Sequence, residues 1–91
     1  MTWRVLFHKK ALKDLGHLSE KMQSRIKLAL RTLKNSITNA REPGLDIKKL
    51  KGDWNGFYRL RVGSYRVIFE VNWSRHEIRI YRIVPRKRAY K

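Results

Sequence analysis

The stretch FYRLRVGSYRVIFEV, residues 57–71, constrains the fold more than any other part of the chain. Gly63-Ser64 is a two-residue turn pair in which glycine supplies the positive φ at the first central position of a type II′ turn. With that pair as the loop, the strand register follows by counting outward. Val62 faces Tyr65, Arg61 faces Arg66, Leu60 faces Val67, Arg59 faces Ile68 and Tyr58 faces Phe69. Side chains alternate across a sheet. One face therefore carries Tyr58, Leu60, Val62, Tyr65, Val67 and Phe69, and the other carries Arg59, Arg61 and Arg66. Like charges directly opposite one another destabilise a hairpin, so stability alone does not account for this arrangement. An anionic ligand does. A solvated basic face is the alternative reading, and a slip of one residue in the turn would scramble both faces.

The charge balance points the same way. Lys and Arg total 23 against 7 Asp and Glu, a formal net charge of +16. Such an excess suits a polyanion, or an acidic protein that masks the charge. Four arginines and a lysine converge on the hairpin and the C-terminal tail, and the sequence shows no acid placed to pair them. The 91 residues, 42% of them hydrophobic, suffice for one small globular domain over 1–91. With no Cys, disulfides, thiolate metal sites and Cys nucleophiles are excluded. The N-terminal MTWRVLFHKK turns to charge after a short apolar run and does not read as a signal peptide. No segment approaches the length of a membrane span. A cytoplasmic location with no membrane partner is expected.

Residues 2–7, TWRVLF, are β-branched and aromatic and read as a first strand. KKALKDLGHL then places Ala11, Leu12, Leu15 and Leu18 at helical spacing, with Gly16 where that helix frays or ends. Ser19 is a plausible N-cap for a second helix, with Glu20 in the first turn, where the dipole favours an acid. Met22, Ile26, Ala29, Leu30, Leu33 and Ile37 form its apolar stripe over about residues 20–37, and Lys21, Arg25, Arg31 and Lys34 lie off it. The two helices are expected to form a hairpin. TNAREPG, 38–44, reads as loop. Leu45, Ile47 and Leu50 give a weak strand pattern, followed by turn signals at Gly52-Asp53 and Asn55-Gly56. After the 57–72 hairpin, NWSRH is a second turn and EIRIYRIV, 77–84, a further strand that Pro85 ends. An N-terminal strand, a helical hairpin and an antiparallel β-meander predict an α+β fold with the helices on one face of the sheet. Met22, Ile26, Leu30 and Leu33 are then expected against Tyr58, Leu60, Val67 and Phe69, leaving the arginine face open.

Several chemistries find no support in the residues. His8, His17 and His76 are scattered, with no HxH or HExxH spacing, so no metal or cofactor is expected. Asp46, Asp53, Glu70 and Glu77 do not form a spaced pair on one predicted element, which disfavours a two-carboxylate hydrolase and a two-metal nuclease. Gly52, Gly56 and Gly63 read as turns rather than a phosphate-binding loop. Trp3 and Trp73 suit core or rim positions. Trp54, in a loop beside the basic hairpin, is a candidate for stacking on a base. The tail RKRAYK is either a solvated end or part of a site, because Tyr90 stands among its cations. A phenol ordinarily titrates at about 10, and neighbouring cations favour its ionised form. Tyr90 is thus a candidate proton acceptor. Cleavage of RNA needs a proton taken from the 2′-OH, positive charge on the phosphorane-like transition state, and a proton for the leaving 5′-oxygen. Arginines supply the second. No ordinary general acid is evident, which leaves much to substrate positioning.

The order β-α-α-β-β-β, the phrase KLKG followed by YRLRVGSYRVIFEV, and the ending RIVPRKRAY resemble the RelE/ParE superfamily of bacterial and archaeal toxins, on the RelE side. The resemblance covers essentially the whole chain. It implies the toxin of a toxin–antitoxin system that cleaves mRNA in the ribosomal A site, and a cognate antitoxin with an acidic segment as partner. Carried over by position, it implies Tyr90 as general base, Arg61 and Arg66 on the scissile phosphate, and Arg86 toward the leaving group, with Lys87 as the competing alignment. Arg59 would position the backbone. Lys51, Lys87, Arg88 and Trp54 are further RNA-binding candidates. Lys is common in the family where this chain has Arg59 and Arg61, a departure that keeps the charge. An arginine barely deprotonates, so Arg86 is an awkward proton donor. The alternatives are a gyrase inhibitor of the ParE-like kind and a basic RNA-binding module without catalysis.

Overall fold

The computed structural model describes residues 2–39 and 44–88. Its elements run β1 (Arg4–Phe7), α1 (Lys9–Gly16), α2 (Glu20–Thr38), β2 (Asp46–Lys49), a 3₁₀ turn at Gly52–Trp54, β3 (Tyr58–Val62), β4 (Tyr65–Asn72), β5 (Glu77–Pro85) and a 3₁₀ turn at Arg86–Arg88. Local signals account for the helix boundaries. Ser19 caps α2, its Oγ accepting from the Met22 N–H at 3.2 Å, and Glu20 opens the first turn. His8 caps α1, its Nδ1 accepting from the Lys10 N–H at 3.1 Å. Gly16 is the last residue of α1. Ala11, Leu15 and Leu18 supply the inward stripe of this first helical region, whereas Leu12 is turned out and 55% exposed, contrary to its expected place on the apolar face. One residue past Ala11 on a helix is a rotation of about 100°, enough to leave the stripe.

The hairpin register is the one counted from the turn. Tyr58 pairs with Phe69, Arg59 with Ile68, Leu60 with Val67, Arg61 with Arg66 and Val62 with Tyr65. Gly63 has φ +59°, while His76 is the sole non-glycine with positive φ among the described residues, so the turn has the II′ sign pattern. A Cβ at Gly63 would lie 3.1 Å from Arg25 Nη1 and 3.2 Å from Met22 Cε. The start of α2 sits directly over the turn, and both backbone and space call for glycine there. Ile26, Leu30 and Leu33 of α2 are buried in one cluster with Leu60, Val67 and Phe69, and Met22 and Tyr58 pack against it.

The meander is antiparallel as expected, but the sheet as a whole is mixed, with strand order β1-β5-β4-β3-β2. β1 runs parallel to β5 from Arg4↔Glu77 to Phe7↔Ile80, a pairing between the two ends of the chain. Parallel neighbours need a long crossover, and here α1, α2 and three antiparallel strands intervene. A register shift leaves Tyr81 out of the β4–β5 pairing: Ile68 faces Arg82 and Phe69 faces Ile80. This bulge lets Ile83 rejoin Ile78 and Ile80 in the helix-side core despite the odd spacing.

Past Ile80, β5 has no strand beside it on the β1 side, and α1 supplies the substitute. The Asp14 carboxylate accepts from the Ile83 N–H at 2.9 Å and from Arg82 Nε at 2.8 Å and Nη2 at 3.3 Å. The hydrogen bond to Asp14, aided by its charge against a smaller burial effect, holds the Arg82 guanidinium above its ordinary pKa. Asp14→Ala strands a strand-edge N–H and unpins α1 from β5. It is expected to lower stability by about 1–3 kcal/mol, read as a reduced midpoint in urea unfolding with an unchanged slope. An unchanged midpoint would show that water replaces the carboxylate without loss.

Candidate nucleic-acid interface

The pleat sends Arg59, Arg61 and Arg66 to the face away from the helices, where they line one depression of about 470 Å³ with Lys48, Lys49, Leu50, Lys51 and Trp54. β3 places Arg59 and Arg61, β4 places Arg66 directly across from Arg61, β2 places Lys48 and Lys49, and the Gly52–Trp54 turn folds Trp54 over the rim. The structure thus brings together five of the residues picked from the sequence: Arg59, Arg61, Arg66, Lys51 and Trp54. It adds Lys48 and Lys49, which lie on a weakly patterned strand and carried no separate signal.

Arg86 and Lys87 are not in this depression. They line a neighbouring one of about 390 Å³ with Ser64, Tyr65 and Pro85, at the hairpin turn. The Arg86 N–H donates to the Ser64 carbonyl at 2.9 Å, which ties the start of the tail to the turn. Arg88 closes the last 3₁₀ turn. Tyr90 lies outside the described residues.

One expectation fails. The arginines do have an acid. Asp46 is paired with Arg61 in the β2–β3 ladder, and its carboxylate takes Arg59 Nη1 at 2.9 Å and Arg61 Nη1 at 3.6 Å. Asp46 is fifteen positions before Arg61 in a stretch with little strand signal, so only the tertiary pairing shows that it counters them. It neutralises one charge of the cluster and leaves the rest. Arg59 is nearly buried, with its side chain 10% exposed. Among the described residues, the Nε atoms of Arg59 and Arg61 have no hydrogen-bond partner, and both are sealed from solvent. Buried donors of this kind ordinarily find acceptors; what an anion can reach is the outer part of the Arg61 side chain, which is 38% exposed.

Asp46→Asn keeps an acceptor for Arg59 and removes the competing charge. Affinity for a short single-stranded RNA is expected to rise a few-fold at low salt, with the gain fading at high salt, since this pair is half-exposed and screened. Equal affinities for parent and variant at low salt would mean that Asp46 does not compete with the ligand.

The other acids of this face collect at its far end. Glu77 is 2% exposed and is held by Arg4 Nη2 at 2.8 Å and Arg79 Nη2 at 3.1 Å, while Glu70 lies 4.0 Å from Arg79 Nη1. Positive charge at that end is compensated, so the excess sits at the hairpin-turn end. Among the described residues no group of three His, Asp or Glu could hold a metal, and no helix is long and apolar enough to cross a membrane.

Comparison with known proteins agrees with this architecture. Residues 5–90 match the profile of the ParE toxin of type II toxin–antitoxin systems, parDE. The protein named Toxin RelE3 of Methanocaldococcus jannaschii is 41% identical over 87 residues, covering 96% of this chain and 94% of the relative. In the RelB-RelE antitoxin–toxin complex from Methanococcus jannaschii, a chain 40% identical superposes with a TM-score of 0.73, covering 93% of this chain and 94% of that one. The archaeal RelE-RelB complex from Pyrococcus horikoshii OT3 gives a TM-score of 0.73 at 39% identity, covering 98% and 100%. With a family profile matched along nearly the full length and close relatives that carry the same fold, this chain belongs to the RelE/ParE superfamily of type II toxins, on its RelE-like branch.

Proposed function

We propose that this toxin cleaves mRNA in the ribosomal A site and is held inactive by a cognate antitoxin. The observation that carries the reading is the depression shared by Arg59, Arg61 and Arg66, lined also by Lys48, Lys49 and Lys51, with Asp46 countering only part of that charge. In this reading the 2′-oxygen attacks the adjacent phosphorus, the bond to the 5′-oxygen breaks, and a cyclic phosphate is left behind. Tyr90 accepts the 2′-OH proton. Arg61 and Arg66 meet the charge that grows on the phosphoryl oxygens, where prepositioned cations are most effective. Arg59, fixed by Asp46, holds the neighbouring backbone. Lys51 and Trp54 line the same depression and bind the flanking chain, with Lys87 and Arg88 extending the contact. Arg86 or Lys87 attends the leaving oxygen. Lys87 is the better proton donor, because an ammonium gives up its proton more readily than a guanidinium. Arg86 is tied to the turn of the arginine hairpin, and three residues separate it from Tyr90 in the sequence. No metal takes part.

The antitoxin follows from charge. The relatives of known structure include toxins solved with their antitoxins, and an acidic segment suits the uncompensated end of this face. The ParE name of the matched profile supports a second reading, inhibition of gyrase. Primer extension on a translated message, with and without ribosomes, separates the two. Discrete stops that appear only with ribosomes are expected. Intact message on actively translating ribosomes, together with growth arrest on expression, would overturn the nuclease reading in favour of gyrase.

A further inference from the structure

The open face carries a second feature beside the basic depression. Ile68 and Leu50 are 2% and 8% exposed, yet neither belongs to the helix-side core. Ile68 faces Arg59 on one side and Arg82 on the other, where a solvated position is expected. A row of rings runs across this region. Trp54 meets Phe57 edge to face at 5.4 Å between centroids, Phe57 meets Tyr81 edge to face at 4.8 Å, and Tyr81 stacks on His8 at 5.4 Å with 16° between planes. Phe57, just before β3, and Tyr81, in β5, lie on either side of β4, so their contact bridges over it. Tyr81 shares the face of Glu77 and Arg79 by strand alternation and sits at the bulge that takes it out of the pairing. None of the four rings is fully buried, His8 is exposed, and none joins the helix-side core. The row ends at Trp54, inside the arginine depression.

We infer that His8, Tyr81, Phe57 and Trp54 form a stacking track for unpaired nucleobases, which leads single-stranded RNA away from the arginines that hold its phosphates. Cover for Ile68 and Leu50 requires only apolar bulk. It does not require an unbroken series of flat rings that begins at an exposed histidine and ends among guanidiniums. Single-stranded nucleic acid is recognised by this pairing of a basic groove with aromatic platforms, because every base offers a π-face. The His8 Nδ1 accepts from the Lys10 N–H, which fixes the ring; one face lies on Tyr81, and the face away from Tyr81 is the one a base would take. Glu70, on the strand beneath the row, is drawn toward Arg79. The track rests on the reading of the arginine face as an RNA site, and it places the sugar–phosphate chain at one end and bases along the sheet.

The test compares two oligomers of equal length and equal phosphate number, a hexa-adenylate and its abasic ribose-phosphate counterpart, by equilibrium binding at low salt. The adenylate is expected to bind at least about tenfold more tightly, the scale of one or two bases stacked on aromatic rings. The variant His8→Asn/Tyr81→Leu keeps an N-cap side chain and an apolar cover while removing two rings. It is expected to lose most of the adenylate advantage while its abasic affinity and its salt slope stay at the parental values. If the double variant does not fold, His8→Asn alone reads the exposed end of the track. Equal parental affinity for both oligomers, loss of both affinities together in a folded variant, or no binding of either would overturn the track. Ribosome-dependent cleavage is measured separately. A toxin that cleaves message but ignores bases refutes the track and keeps the nuclease. One that prefers the adenylate but never cleaves keeps the track and refutes the nuclease.

Discussion

Tyr90→Phe is expected to cleave ribosome-bound message about a hundredfold or more slowly than the parent, with ribosome affinity unchanged. The substitution keeps the ring and removes only the hydroxyl, so charge and packing are hardly altered. If the phenol oxygen takes the 2′-OH proton, its loss removes general-base assistance, which ordinarily contributes a factor of about 10² to 10⁴. A phenol adds little to the attraction of a surface as basic as this one, so the effect falls on the rate. Arg61→Ala and Arg66→Ala differ in kind. Each removes a cation that meets phosphate in both the ground and the transition state, so binding and rate fall together. Single-turnover cleavage beside measured affinities distinguishes these patterns. A Tyr90→Phe protein that cleaves at the parental rate, next to inactive arginine variants, would assign the proton transfer to another group.

The affinity for single-stranded RNA is expected to fall roughly a hundredfold between 50 and 200 mM salt. Lys48, Lys49, Lys51, Arg59, Arg61 and Arg66 line the depression, and Asp46 offsets one of these charges. About five phosphates neutralised on a single strand give a log–log slope of about −3.5, because each displaces a condensed counterion. A fourfold change in salt then produces the stated loss. A titration of fluorescence anisotropy against salt measures the slope. A flat plot would remove the electrostatic mode and favour a protein target such as gyrase, engaged through contacts that release few ions.

What could be read from the chain alone was what short-range chemistry specifies. Gly63-Ser64 imposes a turn whose geometry dictates each pairing from Val62↔Tyr65 to Tyr58↔Phe69, and the structure shows those pairs. Ser19 and Glu20 mark the start of α2 because capping is settled within one helical turn. The arginine face followed directly, since a known register and the alternation of side chains suffice to place Arg59, Arg61 and Arg66 together.

Tertiary structure decided what depends on residues distant in sequence. Asp46 reaches the arginines only because β2 pairs with β3, and DIKK has no alternation strong enough to announce that pairing. The parallel match of β1 with β5 joins the first strand to the last, a choice that local propensity does not make. Leu12 satisfied helical spacing but faces solvent, because the sheet takes up only the stripe through Ala11 and Leu15. The row from His8 to Trp54 is the fullest case: its rings come from three separate stretches of chain, the residue before α1, the turn over 54–57 and β5, which only the sheet brings together. Sequence alone thus determined that a basic hairpin face exists and which arginines form it. Folding in three dimensions determined which carboxylate tempers that face and which rings stand beside it, because both depend on strand neighbours that no nearby residue selects.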